Sequence, residues 1–252
     1  MIEKVEGIII NEKDYSESSK IIDIFTKEHG IISVIAKGVK RIKSNLRGVS
    51  TKLTYGYFHI YYKENKLSTL IDVDIINNLK IIRTDLLKMS YVSFIFELVG
   101  QVLKQGNKEL NNEEIYNIFI ASILKINEQY DPMVITNILE LKLLNYLGVN
   151  PTIDECIICG NTSEIATISV DKGGFLCLQC CKNEHIVSDK TIKFIRMFYY
   201  LDISKISKLD ISDDIKKEID NFVNAYYDKH TGLYLKSKEF LNKVKIDNYQ
   251  FI

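Results

Sequence analysis

The sequence has no acidic residue between Glu28 and Glu64, although the 252-residue chain as a whole balances 33 Lys and Arg against 33 Asp and Glu. With no net charge it is not a uniformly basic nucleic-acid coat, so any electrostatic function has to be local. It has no cysteine outside residues 156–181, which is not how a disulfide framework is distributed. The opening MIEKVEGIII carries Glu3 and Glu6 and lacks an apolar core of signal-peptide length, so no secretion signal is expected. No uninterrupted apolar run suits a membrane span: the most apolar stretch, Leu86 to Leu103, is broken by Lys88, Glu97 and Gln101 and reads as a buried helix. No Gly-rich phosphate loop follows a strand, and no G-x-S-x-G elbow occurs. Four scattered histidines (29, 59, 185 and 230) assemble no catalytic base with a partner. These absences point to a cytoplasmic protein that is not an enzyme.

What is present is an ordinary globular composition, 46% apolar and 26% charged, in a chain long enough for one large domain or a few small ones. Residues 1–80 hold five short runs rich in Ile, Val, Tyr and Phe: EGIIINEKDY, SKIIDIF, GIISVIAKG, YGYFHIYYKE and KLSTLIDVDII. Punctuated by Gly, Asn, Asp and Ser, they predict five strands with the longest connection between the third and fourth. That pattern suits a small oligonucleotide-binding (OB) type barrel. From residue 81 the pattern becomes helical, giving an α+β multidomain chain with an OB-type barrel (1–80) and an all-α helical domain (81–252) that carries a zinc-ribbon-like four-cysteine insertion (152–186). Asp131-Pro132 supplies a cap and a first helical residue, Ser212 opens another helix, and a short LKSKEFL segment comes last.

The insertion contains Cys156-x2-Cys159 and, seventeen residues later, Cys177-x2-Cys180. Two such hooks can close a tetrahedron of thiolates on one structural Zn2+, with Cys181 as an alternative to Cys180. Gly160 and the pair Gly173-Gly174 permit the tight turns. A redox dithiol needs only one hook, and a catalytic zinc needs an open position that four thiolates do not leave.

Within the acid-free region, Lys37, Lys40, Arg41, Lys43, Arg47 and Lys52 cluster in and around a loop marked by Gly38, Ser44, Asn45 and Gly48. Unopposed cations repel one another, and a phosphate backbone relieves that repulsion. Six contacts to single-stranded DNA predict a log–log salt slope of roughly −4. On the following strand Tyr55, Tyr57 and Tyr61 share a face and are candidates for stacking on bases. A solvated loop beside a packed sheet is the competing explanation of the same residues.

Taken together these segments resemble the bacterial recombination-mediator family RecO. The resemblance rests on D-Y-x-E-x-x-K after the first strand, strand–turn–strand around E-H-G, A-K-G followed by a basic loop, C-x2-C…G-G-x-L-C-x2-C, and LKSKEFL near the C-terminus. It implies binding of single- and double-stranded DNA, annealing of complementary strands, and, with RecR, loading of RecA on DNA covered by single-strand-binding protein. It also implies a cytoplasmic, nucleoid-associated location, with the zinc supportive and the basic loop contacting DNA. A second DNA surface on Lys236, Lys238, Lys243 and Lys245, and a cation-rimmed apolar pocket for the tail of the single-strand-binding protein, complete the expectation. The alternatives are a zinc-ribbon RNA-binding or translation factor, and an interaction scaffold whose loop meets an acidic partner.

Overall fold

The computed structural model describes residues 2–105, 111–182 and 184–249, the side chains of 246–249 excepted. Two compact units are present, Met1–Leu86 with Asn111–Ile120, and Leu87–Leu110 with Ala121–Ile252.

The first unit is built on β1 (Ile2–Asp14), β2 (Lys20–Thr26), β3 (Gly30–Ala36), β4 (Tyr55–Tyr61) and β5 (Ser68–Asn77). They close in the order β1-β2-β3-β5-β4. A ring of five strands cannot be antiparallel throughout, and the single parallel pairing falls at the closure, with Val34 opposite Ser68 and Ile35 opposite Thr69. Alternate side chains point inward, so Val5, Ile9, Ile22, Ile24, Val34, Phe58, Ile60, Leu70 and Val73 form one dry core. The ring is tightest where Gly7 pairs with Gly56. A Cβ on Gly56 would stand 2.4 Å from the carbonyl oxygen of Asp74, and one on Gly7 would stand 2.8 Å from that of Phe25, so only glycine admits this approach. The start of α3 (Asn112–Asn127) packs in the same unit, its Tyr116 and Phe119 rings 5.3 and 5.1 Å from the Phe25 ring.

The second unit holds α2 (Leu86–Gln105), the rest of α3, α4 (Pro132–Tyr146), α5 (Asp189–Tyr200), α6 (Asp213–His230) and α7 (Lys236–Tyr249); the four-residue α1 (Lys80–Arg83) precedes them in the first unit. The Asp131 carboxylate accepts from the Met133 and Val134 N–H groups, and Pro132 occupies the first turn, so the expected start of α4 is the observed one. Ten residues of α4 between Val134 and Leu144 are buried, and the helix packs on α5 and α6. Among the described residues α2 is the helix long and apolar enough to cross a membrane, and half of that window is buried inside the protein.

One expectation is refined and one corrected. The helical unit is all-α only outside its ribbon-like insertion, which forms a hairpin of β6 (Ile165–Ser169) and β7 (Gly174–Cys177). The last helix is also longer than LKSKEFL. Its first turn is fixed from outside: the Glu97 carboxylate accepts from the N–H groups of Lys236 and Ser237 at 3.2 and 2.7 Å. Burial alone would raise the Glu97 pKa, but these bonds outweigh it and hold the carboxyl below its ordinary value.

Candidate nucleic-acid interface and metal centre

The connection between β3 and β4 is folded rather than loose. Val39 and Leu53 are buried, and Leu46 and Val49 pack on the barrel core. Leu53 donates its N–H to the Ile9 carbonyl, and Ile9 donates to that of Thr54, which ties the end of the loop to the bulge in β1. The Ser50 hydroxyl donates to the Leu46 carbonyl at 2.7 Å. With its apolar residues turned in, the loop presents Lys37, Arg41, Lys43 and Arg47 to solvent. Among the described residues no carboxylate lies within ion-pairing distance of these four.

The other two cations differ. Lys40 is a staple: its Nζ lies 2.8 Å from the Asp14 carboxylate and donates to the Ser16 carbonyl at 3.1 Å. This pairing holds the Asp14 pKa below its usual range. Lys52 is half-buried and has interactions of its own.

The tyrosines also separate. Tyr55 is buried, its hydroxyl donating to Glu6 at 2.7 Å, and offers no ring face for stacking. It lies where the barrel meets α3, whose Tyr116 hydroxyl donates to the same carboxylate at 3.3 Å. Tyr57 and Tyr61 are 38% and 49% exposed and stand on the outer face of β4. Lys4 lies 4.6 Å from the Tyr57 ring centroid. Of the acids on β5 beside it, Asp74, opposite Tyr57, is engaged by His59 at 2.9 Å and Lys4 at 3.1 Å, while Asp72 stands exposed opposite His59. Strand periodicity identified the shared face, but not which end of it the packing helix would cover.

In the second unit the sulfur atoms of Cys156, Cys159, Cys177 and Cys180 all lie within 4.8 Å of one another. A tetrahedron of thiolates about 2.3 Å from a central zinc has edges of about 3.8 Å, and the Cys159 and Cys177 sulfurs are 3.7 Å apart. The donor set therefore fits a metal ion. Cys181 stands outside the group, its thiol donating to the Leu178 carbonyl at 3.5 Å. In the first hook the Cys156 carbonyl accepts from the Gly160 N–H at 2.8 Å. The second hook follows β7, and Gly174 is required there: its Cβ would lie 2.5 Å from the Thr152 carbonyl oxygen, against which the hairpin pairs. The thiols are electrostatically unequal. Burial pushes the Cys156 thiol up, but backbone N–H groups of Cys177, Cys159 and Ile158 outweigh that and bring it to about 6. The Cys159 thiol and burial push Cys180 up to about 12. Four thiolates at this spacing need a cation among them.

Two further expectations concern the helical unit, a pocket that the sequence did not locate and a lysine run that it did. A cleft of about 400 Å³ has Leu87, Tyr91, Pro132 and Met133 on its apolar side and Lys88, Lys216, Lys217 and Lys245 with Asp131 and Asp213 among its polar lining. The C-terminal lysine run does not form one open surface. Lys238 is paired with Asp228 at 2.8 Å and Lys245 with Asp220 at 3.1 Å, which leaves Lys236 and Lys243 exposed.

Fold and sites define a class: a small closed barrel with a cationic loop, joined in one chain to a helical unit that carries a four-cysteine metal-binding centre. The family models for the N-terminal and C-terminal parts of recombination protein O match residues 1–79 and 83–239. The chain belongs to the recombination protein O family. It is 33% identical to the protein of Halalkalibacterium halodurans over 97% of this chain and 96% of that protein. It is 35% identical to that of Bacillus cytotoxicus over 99% of this chain and the whole of that protein. It is 33% identical to that of Listeria monocytogenes serotype 4b (strain F2365) over 96% and 95%. Each of the three is named DNA repair protein RecO.

Proposed function

We propose that this protein is a recombination mediator in DNA repair that binds single- and double-stranded DNA and anneals complementary strands without enzymatic turnover. The observation that carries the reading is the basic loop: four cations without carboxylate partners, held outward by buried apolar residues on a closed barrel of family-matched sequence. Residues 1–80 act as an OB-type DNA-binding domain, with Lys37, Arg41, Lys43 and Arg47 on phosphates and Tyr57 and Tyr61 as stacking platforms. Lys40 keeps the loop in place and Lys52 flanks it. Neutralising two strands while their base edges stay free lowers the barrier to pairing.

Residues 81–252 form the helical body and 152–186 its zinc insertion, with Cys156, Cys159, Cys177 and Cys180 binding one structural Zn2+. When bound, the ion supplies the positive charge that lets all four thiols ionise, and it staples a hairpin too small to fold alone. The cleft beside Tyr91 and Met133 suits the acidic, apolar tail of a single-strand-binding protein, since its lining combines apolar surface with four lysines against two aspartates. With RecR the protein then helps RecA onto covered DNA.

The test is annealing of complementary labelled oligonucleotides precoated with single-strand-binding protein. The wild type should accelerate it. An Arg41→Glu/Lys43→Glu/Arg47→Glu variant should bind DNA weakly, with a salt slope shallower by about 2, and anneal slowly. Equal annealing by the two proteins would remove the loop from the mechanism.

A further inference from the structure

A second groove, of about 420 Å³, lies within the barrel unit, where Gly48 of the basic loop meets the end of β5 and α1. Its lining contains Lys80 and Arg83, with Thr54, Asn77 and Asn78, and no acid. The Arg83 guanidinium is aimed rather than free: its Nε–H donates to the Asn78 carbonyl at 3.0 Å. The Asn77 side-chain oxygen is already used by the Leu79 N–H at 2.8 Å, which leaves its NH2 group to donate. Burial weighs against the charged form of Arg83, and the opposing field comes from Glu12, whose carboxylate is held by Lys20 at 3.0 Å. Two cations and amide donors without an acid are the chemistry of a phosphate site.

We propose that this groove binds the phosphodiester backbone of single-stranded DNA and continues the track of the basic loop past Gly48 to Lys80 and Arg83. The inference rests on the DNA-binding reading above and deepens it. Arg83 grips a phosphate as a fork, and Lys80 adds a point charge at the exposed edge. The loop alone would be a patch; the groove gives the bound strand a direction across the barrel.

The experiment is fluorescence anisotropy of labelled oligo(dT) with the full chain across a salt series. Lys80→Gln/Arg83→Gln should lose about tenfold in affinity and make the salt slope shallower by about 1.4. Lys80→Glu, at an exposed position, should weaken binding in the same direction and guards against misfolding of the double variant. If both groove variants bind with wild-type affinity and slope while the triple loop variant fails, the groove proposal falls and the loop reading stands. If the wild type does not bind oligo(dT), both fall. Inorganic phosphate at constant ionic strength separates polymer from free anion. Wild-type oligo(dT) binding should be insensitive to it. Oligo(dT) affinity equal in wild type and double variant, with binding of phosphate itself lost in the double variant, would make this a free-phosphate site and overturn the track.

Discussion

Charge placement at single residues decides most of the chemistry of this chain, and Glu140 shows it away from any candidate DNA surface. It sits on α4 with 3% exposure, facing Asp220 and Asp228 of α6 and Lys238 and Lys245 of α7. Burial first, then Asp220, push its carboxyl up from 4.5 to about 8, against the pull of the two lysines. The folded protein therefore keeps this proton to higher pH than the unfolded chain does. Its contribution to stability is full below pH 4.5 and is lost as pH rises toward 8. Glu140→Gln removes that dependence and should stabilise the protein at pH 8 by about 1–3 kcal/mol, with little change at pH 4.5. Urea unfolding at the two pH values checks it, and an equal effect at both would show that Glu140 is ionised in the fold. The helix that carries Glu140 was readable from its Asp131-Pro132 start, but the burial of Glu140 and its acidic and basic neighbours depend on α6 and α7, beyond the reach of local pattern.

At the scale of elements, legibility followed how local the controlling interaction is. The five strands and the start of α4 were readable because alternation, Asp131 and Pro132 act within a few residues. The extent of α7 was not, since Glu97 on α2 fixes its first turn across 139 residues of sequence. The ribbon-like character of the insertion was legible from its two cysteine hooks, but the bounds of the β6–β7 hairpin were not, because cysteine spacing reports ligands and not the sheet that carries them. Which of the adjacent cysteines joins the cluster was likewise open from spacing. The hook that places the Cys180 sulfur with the others turns the Cys181 thiol to the Leu178 carbonyl. Cys181→Ser should accordingly keep one zinc per chain, whereas Cys180→Ser should lose tight binding. Metal analysis after dialysis against a mild chelator reads this directly, and the reverse pattern would exchange their roles.

For the whole molecule, the question is whether the metal centre and the DNA surface are one device or two. Every residue assigned here to DNA, in the loop, on β4 and in the groove at α1, belongs to the barrel unit, and all four clustered thiols belong to the helical unit. On the zinc reading proposed above, the hairpin would depend on its ion, since four thiolates at this spacing without a cation are electrostatically unfavourable and metal binding would then supply folding free energy. The barrel closes around its own apolar core, and the loop is fixed by Val39, Leu46, Val49 and Leu53 without help from the cysteines. Zinc removal should therefore make residues 152–186 protease-sensitive and lower the thermal midpoint, while affinity for oligo(dT) and its salt slope stay at wild-type values. Limited proteolysis and anisotropy on the same chelated sample measure both halves. A parallel loss of DNA affinity would mean that the metal centre sustains the DNA surface, and the separation of roles argued from the two units would fail.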